Sequence, residues 1–287
     1  MAKDKYSAVW VSHSSISDFL KCPRAYYLKN VWKRKETGHK VQLITPPMSL
    51  GSAVHELIED LSVIPTQKRF AEPLVPKFEK VWQKYGGKLG GFLDRETENK
   101  YKNRGVEMLH RLETKPGPLA RLAIKIDMDL PYFWLSEEDN IILCGKIDWL
   151  EYLPESDSVK IIDFKTSKKE EKEDSLQLPI YHLLVRYCQA RKVDSAAYWY
   201  LETNDQLTNK ELPNLEESAQ KILKIAKNIK LAKTLNKLDC PHGGCQYCEP
   251  LEKIYRGEAE FVGVNAFGQD GFILPQKALE GRQGTVI

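Results

Sequence analysis

The chain has 287 residues, of which 42% are hydrophobic and 29% charged, a composition typical of a soluble globular protein. Its net charge is only +3, from 43 Lys and Arg against 40 Asp and Glu, so charge alone does not indicate nucleic-acid binding. No run of about 18 apolar residues and no apolar signal core occur, and we therefore expect no membrane span, no secretion and a cytoplasmic protein. In that reducing compartment, the six cysteines indicate metal binding, catalysis or packing rather than disulfides.

Helical and strand patterns follow one another along the chain. We predict a helix from about Ser15, where Ser15 to Asp18 is typical of a capping box, and a second helix from about Ser52. Residues 63–118 contain several prolines and glycines and are predicted to form a mostly helical insertion. The later predictions are strands in 122–135, 139–153 and 158–165, a helix at 174–190, a strand at 196–201 and a helix at 214–236. This order predicts an α/β fold with a central mixed β-sheet flanked by helices.

The strand predicted at 158–165 carries two charged residues on one face. Because side chains alternate along a strand, Asp163 and Lys165 share that face. If the chain turns as a hairpin at 154–157, the residue opposite Asp163 is Asp148, at about 5 Å. Carboxylates this close repel each other unless a hard divalent cation such as Mg²⁺ or Mn²⁺ lies between them. A cross-strand Asp–Lys salt bridge at the sheet rim is the alternative interpretation, and spacing alone does not decide between the two.

Three further polar residues are weak signals when each is taken alone. Gln177 and Tyr181 are four positions apart and therefore share one face of the helix predicted at 174–190. Both side chains can contact a phosphate, although Gln and Tyr flank many amphipathic helices. His55 lies beside the apolar stripe of the second predicted helix, where an isolated histidine is usually a boundary residue.

The order of these motifs along the chain is more specific than any one of them. They are Gly51-x-x-x-His55, Gly145-Lys146-Ile147-Asp148, Asp163-Phe164-Lys165-Thr166 and Gln177-x-x-x-Tyr181. The set resembles the RecB-like branch of the PD-(D/E)XK nuclease superfamily, which includes the nuclease domains of RecB and AddB and the CRISPR-adaptation nucleases. The resemblance spans roughly residues 13–255, and it implies a single domain over 1–287 with a restriction-endonuclease-like core.

The resemblance also implies a role for each motif residue. The implied ligands of Mg²⁺ or Mn²⁺ are His55, Asp148, Asp163 and the backbone carbonyl of Phe164. Lys165 would position the attacking water and stabilise charge on the phosphate, while Gln177 and Tyr181 would shape the site or contact the DNA backbone. The implied reaction is metal-assisted hydrolysis of a phosphodiester.

Three cysteines near the C-terminal end form a second candidate metal site. Cys240, Cys245 and Cys248 follow a Cys-x4-Cys-x2-Cys pattern with intervening glycines, and three ligands need a fourth. In the iron–sulfur members of the similar family, one cysteine before the nuclease core and three after it bind a 4Fe–4S cluster that joins the chain ends. Cys22, within Cys-Pro-Arg-Ala-Tyr-Tyr, matches the N-terminal position.

The cysteine pattern departs from that family at one position. The cysteine that commonly lies six residues after the last one here is replaced by Ile254, and Cys240 would substitute for it. A Zn²⁺ site with the same cysteines, in which His242 could replace one ligand, is the alternative to the iron–sulfur cluster. Cys144 and Cys188 are predicted to be packing residues.

The implied function is a DNA nuclease without a motor of its own, because the Gly-x-x-x-x-Gly-Lys-Ser/Thr loop of ATP-driven motors is absent from the sequence. We expect a single-strand-preferring exonuclease in DNA repair, recombination, phage replication or CRISPR adaptation, with a helicase or a CRISPR adaptation protein as partner. A structure-specific or RNA-directed nuclease with the same site, and a nucleic-acid-binding scaffold with an idle site, are the alternatives. Candidate DNA contacts are Lys33-Arg34-Lys35 and Lys168-Lys169. The tryptophans that could stack bases are Trp10, Trp32, Trp82, Trp134 and Trp149, although most of them are expected to be core residues. The tail at 257–287 receives no predicted role.

Overall fold

The computed structural model describes residues 4–265 and 267–275, in which eleven strands and eight α-helices occur. The strands are β1 (Val9–Val11), β2 (Val41–Leu43), β3 (Ala123–Ile124), β4 (Tyr132–Ser136), β5 (Ile141–Cys144), β6 (Trp149–Leu153), β7 (Ser158–Lys165), β8 (Lys192–Tyr200), β9 (Thr208–Lys210), β10 (Glu260–Val264) and β11 (Asp270–Ile273). The helices are α1 (His13–Lys21), α2 (Pro23–Tyr26), α3 (Pro46–Ser62), α4 (Leu74–Trp82), α5 (Arg95–Thr114), α6 (Gln177–Cys188), α7 (Leu215–Thr234) and α8 (Glu249–Tyr255).

A five-stranded sheet in the order β3-β6-β7-β8-β9 forms the centre of the fold. Its central strand, β7, is antiparallel to β6 and parallel to β8, so the predicted mixed sheet is confirmed. The chain between the parallel strands β7 and β8 contains α6, because parallel neighbours need a long crossover connection.

Helices cover both faces of this sheet, and the alternation of side chains along β7 explains how. Val159 and Ile161 pack in a buried cluster with residues of α6 and α7. Ile162 and Phe164 point the other way and pack with residues of α3, α4 and α5. Asp163 lies on the α6 side of β7, as the period of two predicts.

Two three-stranded sheets lie outside the central one, in the orders β1-β5-β4 and β10-β11-β2. In the second sheet, the C-terminal strand β11 runs parallel to β2, with Asp270 opposite Val41. A small apolar cluster that includes Leu28, Val41, Leu251 and Phe272 joins this sheet to α2 and α8. The beginning and the end of the described chain therefore pack against each other.

Several predicted boundaries are corrected by the structure. α1 begins at His13, because Ser12 is its N-cap and Ser15 closes the capping box at the third helical position. α3 begins at Pro46, six residues before Ser52, since proline is well suited to the first turn of a helix.

The predicted strand segments 122–135 and 139–153 are each divided between two sheets, which hydrophobic patterning does not reveal. The second division falls at Gly145–Asp148, where the chain leaves β5 and enters β6. A Cβ on Gly145 would lie 3.0 Å from Leu184 Cδ1 of α6, so the backbone passes close to that helix at the bend.

Residues 63–118 contain α4, α5 and three 3-10 turns at Thr66–Lys68, Gly87–Gly90 and Gly117–Ala120. Of the C-terminal tail at 257–287, the structure describes β10 and β11, and residues 276–287 lie outside the described residues. Within the described part of the chain, none of the helices combines the length and apolar character that a membrane crossing requires.

Candidate active site and cysteine cluster

The hairpin of β6 and β7 brings two aspartates together at the end of the central sheet. Its register pairs Trp149 with Ile162, and extension by one residue places Asp148 opposite Asp163, as predicted. The backbone N–H of Phe164 donates to Asp148 Oδ2 at 3.0 Å, which fixes the Asp148 carboxylate against β7. Asp163 is only 1% exposed.

A chain of polar contacts links Asp163 to α6. The Lys165 Nζ atom lies 2.8 Å from Asp163 Oδ2, and Gln177 Nε2 donates to Asp163 Oδ1 at 2.7 Å. Lys165 also donates to Gln177 Oε1, and Gln177 Nε2 lies 3.3 Å from the Tyr181 hydroxyl. Gln177 is the first residue of α6, so the strand end and the helix start together organise these side chains.

His55 reaches the same place from α3. Its Nδ1 atom lies 3.5 Å from Asp148 Oδ2. The structure thus brings together all seven predicted site residues. Five contribute side chains, namely His55, Asp148, Asp163, Lys165 and Gln177. Phe164 contributes its backbone, and Tyr181 contacts the group through Gln177.

The two carboxyl groups differ in their electrostatics. Burial, and then the nearby Asp148 carboxylate, raise the pKa of Asp163 to about 7. Burial also acts to raise the pKa of Asp148, but the charge and hydrogen bond of His55 and the Phe164 N–H lower it below its usual value. The pKa of His55 is raised, because the attraction of Asp148 outweighs the effect of burial. Asp148 is therefore the more readily ionised of the two.

The residues at this site fit a divalent cation. Asp163 Oδ2 is buried and forms an ion pair of 2.8 Å with the Lys165 ammonium group. That ion pair joins residues of one strand and leaves the opposed Asp148 carboxylate beside a second acid. Carboxylate oxygens are the preferred ligands of Mg²⁺, and a neighbouring imidazole is compatible with Mn²⁺.

The four predicted cysteines lie together where the beginning and the end of the described chain meet. The Sγ atoms of Cys22, Cys240, Cys245 and Cys248 all lie within 4.8 Å of one another. Cys22 separates α1 from α2 and Cys248 caps α8, so two helix ends converge on the cluster. The Cys245 N–H donates to Cys248 Sγ at 3.3 Å. A set of four cysteines can bind a metal, and both zinc and iron–sulfur clusters use four thiolate ligands.

The surroundings of the cysteines explain the departures noted in the sequence. Ile254 is buried in the apolar cluster beside the cysteines, where it packs rather than binds. Among the described residues the cysteine group does not include His242. Cys188 Sγ contacts the Tyr132 carbonyl at 3.5 Å and Cys144 is buried, so both are packing residues as predicted.

Comparison with known proteins identifies the family. The family model of the PD-(D/E)XK nuclease superfamily matches residues 10–251. The chain belongs to this superfamily. A solved structure from Eubacterium rectale, described as a "putative exonuclease", covers 93% of this chain and 96% of its own, with a TM-score of 0.50 and 14% identity. At that identity the likeness shows the fold alone, and no curated protein matches the chain in sequence.

Membership in a PD-(D/E)XK nuclease family supports a nuclease with a nucleic-acid substrate and a divalent metal ion. A cleft of about 650 Å³ opens beside Asp148. His55, Asp148 and Phe164 line it together with the segments 123–131 and 146–150. The volume is within the range of about 300–1,000 Å³ of ligand-sized pockets.

The sequence did not indicate one acidic residue of this site, Glu171. Its Oε2 atom lies 3.4 Å from Lys165 Nζ, and its backbone N–H donates to the Tyr200 hydroxyl at 3.0 Å. Burial opposes ionisation of Glu171, but the Lys165 charge lowers its pKa overall. Glu171 belongs to an acidic run in the loop after β7, and a loop has no periodicity that would distinguish one acid from its neighbours.

The candidate DNA contacts differ in their surroundings. Arg34 pairs with the buried Asp270 at 2.7 Å, whereas Lys168 is exposed and lies 3.4 Å from Glu202, so its contact with DNA stays a prediction. Trp82 and Trp149 are buried in the core and therefore present no ring to a base. For these two tryptophans the core interpretation is confirmed and the stacking role is excluded, because aromatic content alone does not reveal which rings are exposed.

Proposed function

We propose that this protein is a metal-dependent DNA nuclease of the RecB-like branch, a single-strand-preferring exonuclease that hydrolyses phosphodiester bonds. The observation that carries the proposal is the meeting of Asp148, Asp163 and Lys165 at one end of the sheet, beside an open cleft. A buried pair of opposed carboxylates costs free energy unless a cation compensates it, and a nuclease of this superfamily uses such a cation.

His55, Asp148, Asp163 and the Phe164 carbonyl would bind Mg²⁺ or Mn²⁺. A cation held by these residues would supply a water molecule of lowered pKa and would screen negative charge on the phosphate. Lys165, whose burial is offset by Asp163 and Glu171 so that its pKa is raised, stays cationic and donates to the phosphate or the attacking water.

Gln177 and Tyr181 position these groups. Gln177 donates to Asp163 and accepts from Lys165, so one amide holds both side chains. The Tyr181 hydroxyl accepts from Gln177 and keeps its own proton for donation to a phosphate oxygen. Burial raises the pKa of Tyr181 well above its usual value, so the hydroxyl remains protonated.

The four cysteines are proposed to bind a 4Fe–4S cluster, on the strength of the resemblance, with Zn²⁺ as the alternative. The spacing of the Sγ atoms, all within 4.8 Å of one another, supports the zinc alternative. A tetrahedral zinc ion with bonds of about 2.3 Å separates its sulfurs by about 3.8 Å. Metal analysis and the visible absorbance of the purified protein distinguish the two, since zinc thiolates are colourless. The proposed setting is cytoplasmic DNA repair, recombination, phage replication or CRISPR adaptation, with a helicase or CRISPR adaptation protein as partner.

The test is cleavage of end-labelled single-stranded and duplex DNA in Mg²⁺, Mn²⁺ or EDTA. Wild type should cut only with a metal ion, and Asp163→Asn should not cut. The matched control is Asp157→Asn, at the turn of the same hairpin, where a φ of 42° suits Asn. Resistance of circular single strands identifies an exonuclease, and the position of the label gives its polarity. If metal-loaded wild type bound but cut no substrate, a binding scaffold would be the better interpretation.

A further inference from the structure

One large aromatic side chain at the cleft is largely exposed to solvent. Phe267 is 83% exposed, in the turn between β10 and β11, yet it lines the same cleft as His55, Asp148 and Phe164. An exposed ring at the mouth of a cleft offers an apolar face that a planar ligand can cover, with a gain from burial of apolar surface.

The backbone that carries Phe267 is fixed by hydrogen bonds. Asn265 Oδ1 accepts from the N–H groups of Phe267 and Gln269, at 2.9 Å and 3.0 Å. Asn265 Nδ2 in turn donates to Gln42 Oε1 of β2 at 2.6 Å. Because β2 leads directly into α3, the Phe267 turn is tied to the element that carries His55.

The chemistry of the cleft favours a base rather than a phosphate at this position. Its charged lining contains the acids Glu59, Asp127, Asp129 and Asp148 but only the lysines Lys125 and Lys146. Both lysines lie within 4.0 Å of Glu59, which neutralises part of their charge. A row of phosphates would meet net negative charge here, whereas an uncharged planar base would meet apolar side chains and the Phe267 ring.

We propose that Phe267 stacks on an unpaired base of a single-stranded substrate whose phosphate lies at Asp148 and Asp163. The proposal rests on the proposed nuclease function and names the substrate feature that the site recognises. Every base presents a π face, so the contact selects single strands without selecting a sequence. In a duplex the bases between the two ends are stacked on both faces and offer no such surface.

The test combines Phe267→Ala with single-stranded oligonucleotides in which one abasic position is moved along the strand. In wild type, one abasic position should lower kcat/KM by roughly 5- to 150-fold, the range measured for base–aromatic stacking. Phe267→Ala should lower kcat/KM on the intact strand by a similar factor. In that variant, the abasic substitution should cause no further loss of kcat/KM. Phe267→Trp should retain the wild-type profile, and duplex cleavage should be unchanged in every variant.

The matched control is Tyr6→Ala, because Tyr6 is 89% exposed and does not line the cleft. It should behave as wild type on all substrates. If Phe267→Ala kept the wild-type abasic profile, or slowed duplex cleavage equally, the stacking role would be overturned while the nuclease function stood. If wild type cut no oligonucleotide, the nuclease function would be wrong and the stacking role would fall with it.

Discussion

The carboxylate site and the cysteine cluster are assembled in opposite ways. Asp148 and Asp163 are 15 residues apart, and one hairpin register places them opposite each other. Cys22 and Cys248 are 226 residues apart, and packing of the two ends of the chain brings them together. The first site depends on the geometry of a strand pair, whereas the second depends on long-range tertiary contacts.

This difference indicates what each site contributes. The carboxylate site gathers buried like charges, which act against stability and suit chemistry. The cysteine cluster joins α2 and α8, which an Arg24–Glu252 ion pair of 2.5 Å also connects. Loss of the first site should therefore remove activity and spare the fold, and loss of the second should weaken the fold first.

The largest expected effect is on activity, in Asp163→Asn. Loss of a residue that only supports a metal ligand typically lowers metal affinity or activity by about 10- to 100-fold. Loss of a direct ligand should therefore lower the cleavage rate by more than about 100-fold. Added Mn²⁺ should raise the melting temperature of wild type and leave that of Asp163→Asn unchanged, because only the former binds the ion. Thermal denaturation with and without Mn²⁺ measures this independently of activity. An equal Mn²⁺ shift in both proteins would remove Asp163 from the ligand set.

The second effect is on stability, in Cys248→Ser. Metal binding to a structural site stabilises the folded state directly. In small zinc-binding domains the apparent free energy of zinc binding is about 10–16 kcal/mol. We expect loss of the bound metal and a free energy of unfolding lower by roughly 3 kcal/mol or more. Metal analysis and urea denaturation measure the two quantities. Cys188→Ser is the control, since a hydroxyl can replace the thiol that contacts the Tyr132 carbonyl, and its metal content should equal that of wild type.

The third effect depends on pH and concerns Asp270, which holds the loop before β2. Arg34, Thr37 and His39 contact its buried carboxylate at 2.7–2.8 Å. Burial opposes ionisation, but these partners lower the pKa of Asp270 below its usual value. The ionised Asp270 carboxylate therefore contributes its full share of the free energy of unfolding above the pKa of an unfolded aspartate, about 3.9. That contribution is lost as pH falls through the lower pKa of Asp270 in the folded protein.

Asp270→Asn should accordingly cost about 2 kcal/mol near neutral pH, the value of a hydrogen bond to a charged group. The difference in melting temperature between the two proteins should stay constant from pH 7 to about 5 and narrow below about 4. Melting curves over this pH range measure the difference. A difference that widened in acid would contradict the assignment of the lowered pKa to Asp270.

Local pattern predicted the carboxylate pair because strands have a fixed period and a short turn fixes their register. Asp163, Lys165 and the opposed Asp148 all follow from those two rules. The proximity of the cysteines was predicted from their spacing and the resemblance, because geometry along the chain does not link residue 22 to residue 248.

The remaining features depend on tertiary packing, which one sequence does not display. Asp270 becomes a buried centre of three contacts only because β11 pairs with β2 across more than 220 residues. Phe267 reaches the cleft by the same pairing. Trp82 and Trp149 appeared as candidates for base stacking, but the helices of 63–118 and the face of the sheet bury them.

The smallest expected effect concerns Glu171, the acid near Lys165 that the sequence did not indicate. Its contact with Lys165 Nζ is 3.4 Å long and its side chain is 27% exposed, so the pair contributes little free energy. Such pairs are worth about 0.2–1 kcal/mol, which corresponds to less than about a fivefold change in rate. Glu171→Gln should lower kcat by this factor with KM unchanged, if Glu171 only positions Lys165. Steady-state kinetics on one oligonucleotide measure both constants.

Lys160→Ala is the control for that experiment. Lys160 lies on β7, as Lys165 does, but its ammonium group donates to Asn209 at 2.7 Å, away from the carboxylates. Its substitution should leave kcat unchanged and alter the free energy of unfolding by less than about 0.5 kcal/mol. If turnover by Glu171→Gln were instead slower by about two orders of magnitude, as for loss of a metal ligand, Glu171 would be a ligand or a general base. Glu171 would then belong to the carboxylate site as a direct participant, and the site would extend beyond the β6–β7 hairpin into the loop before α6.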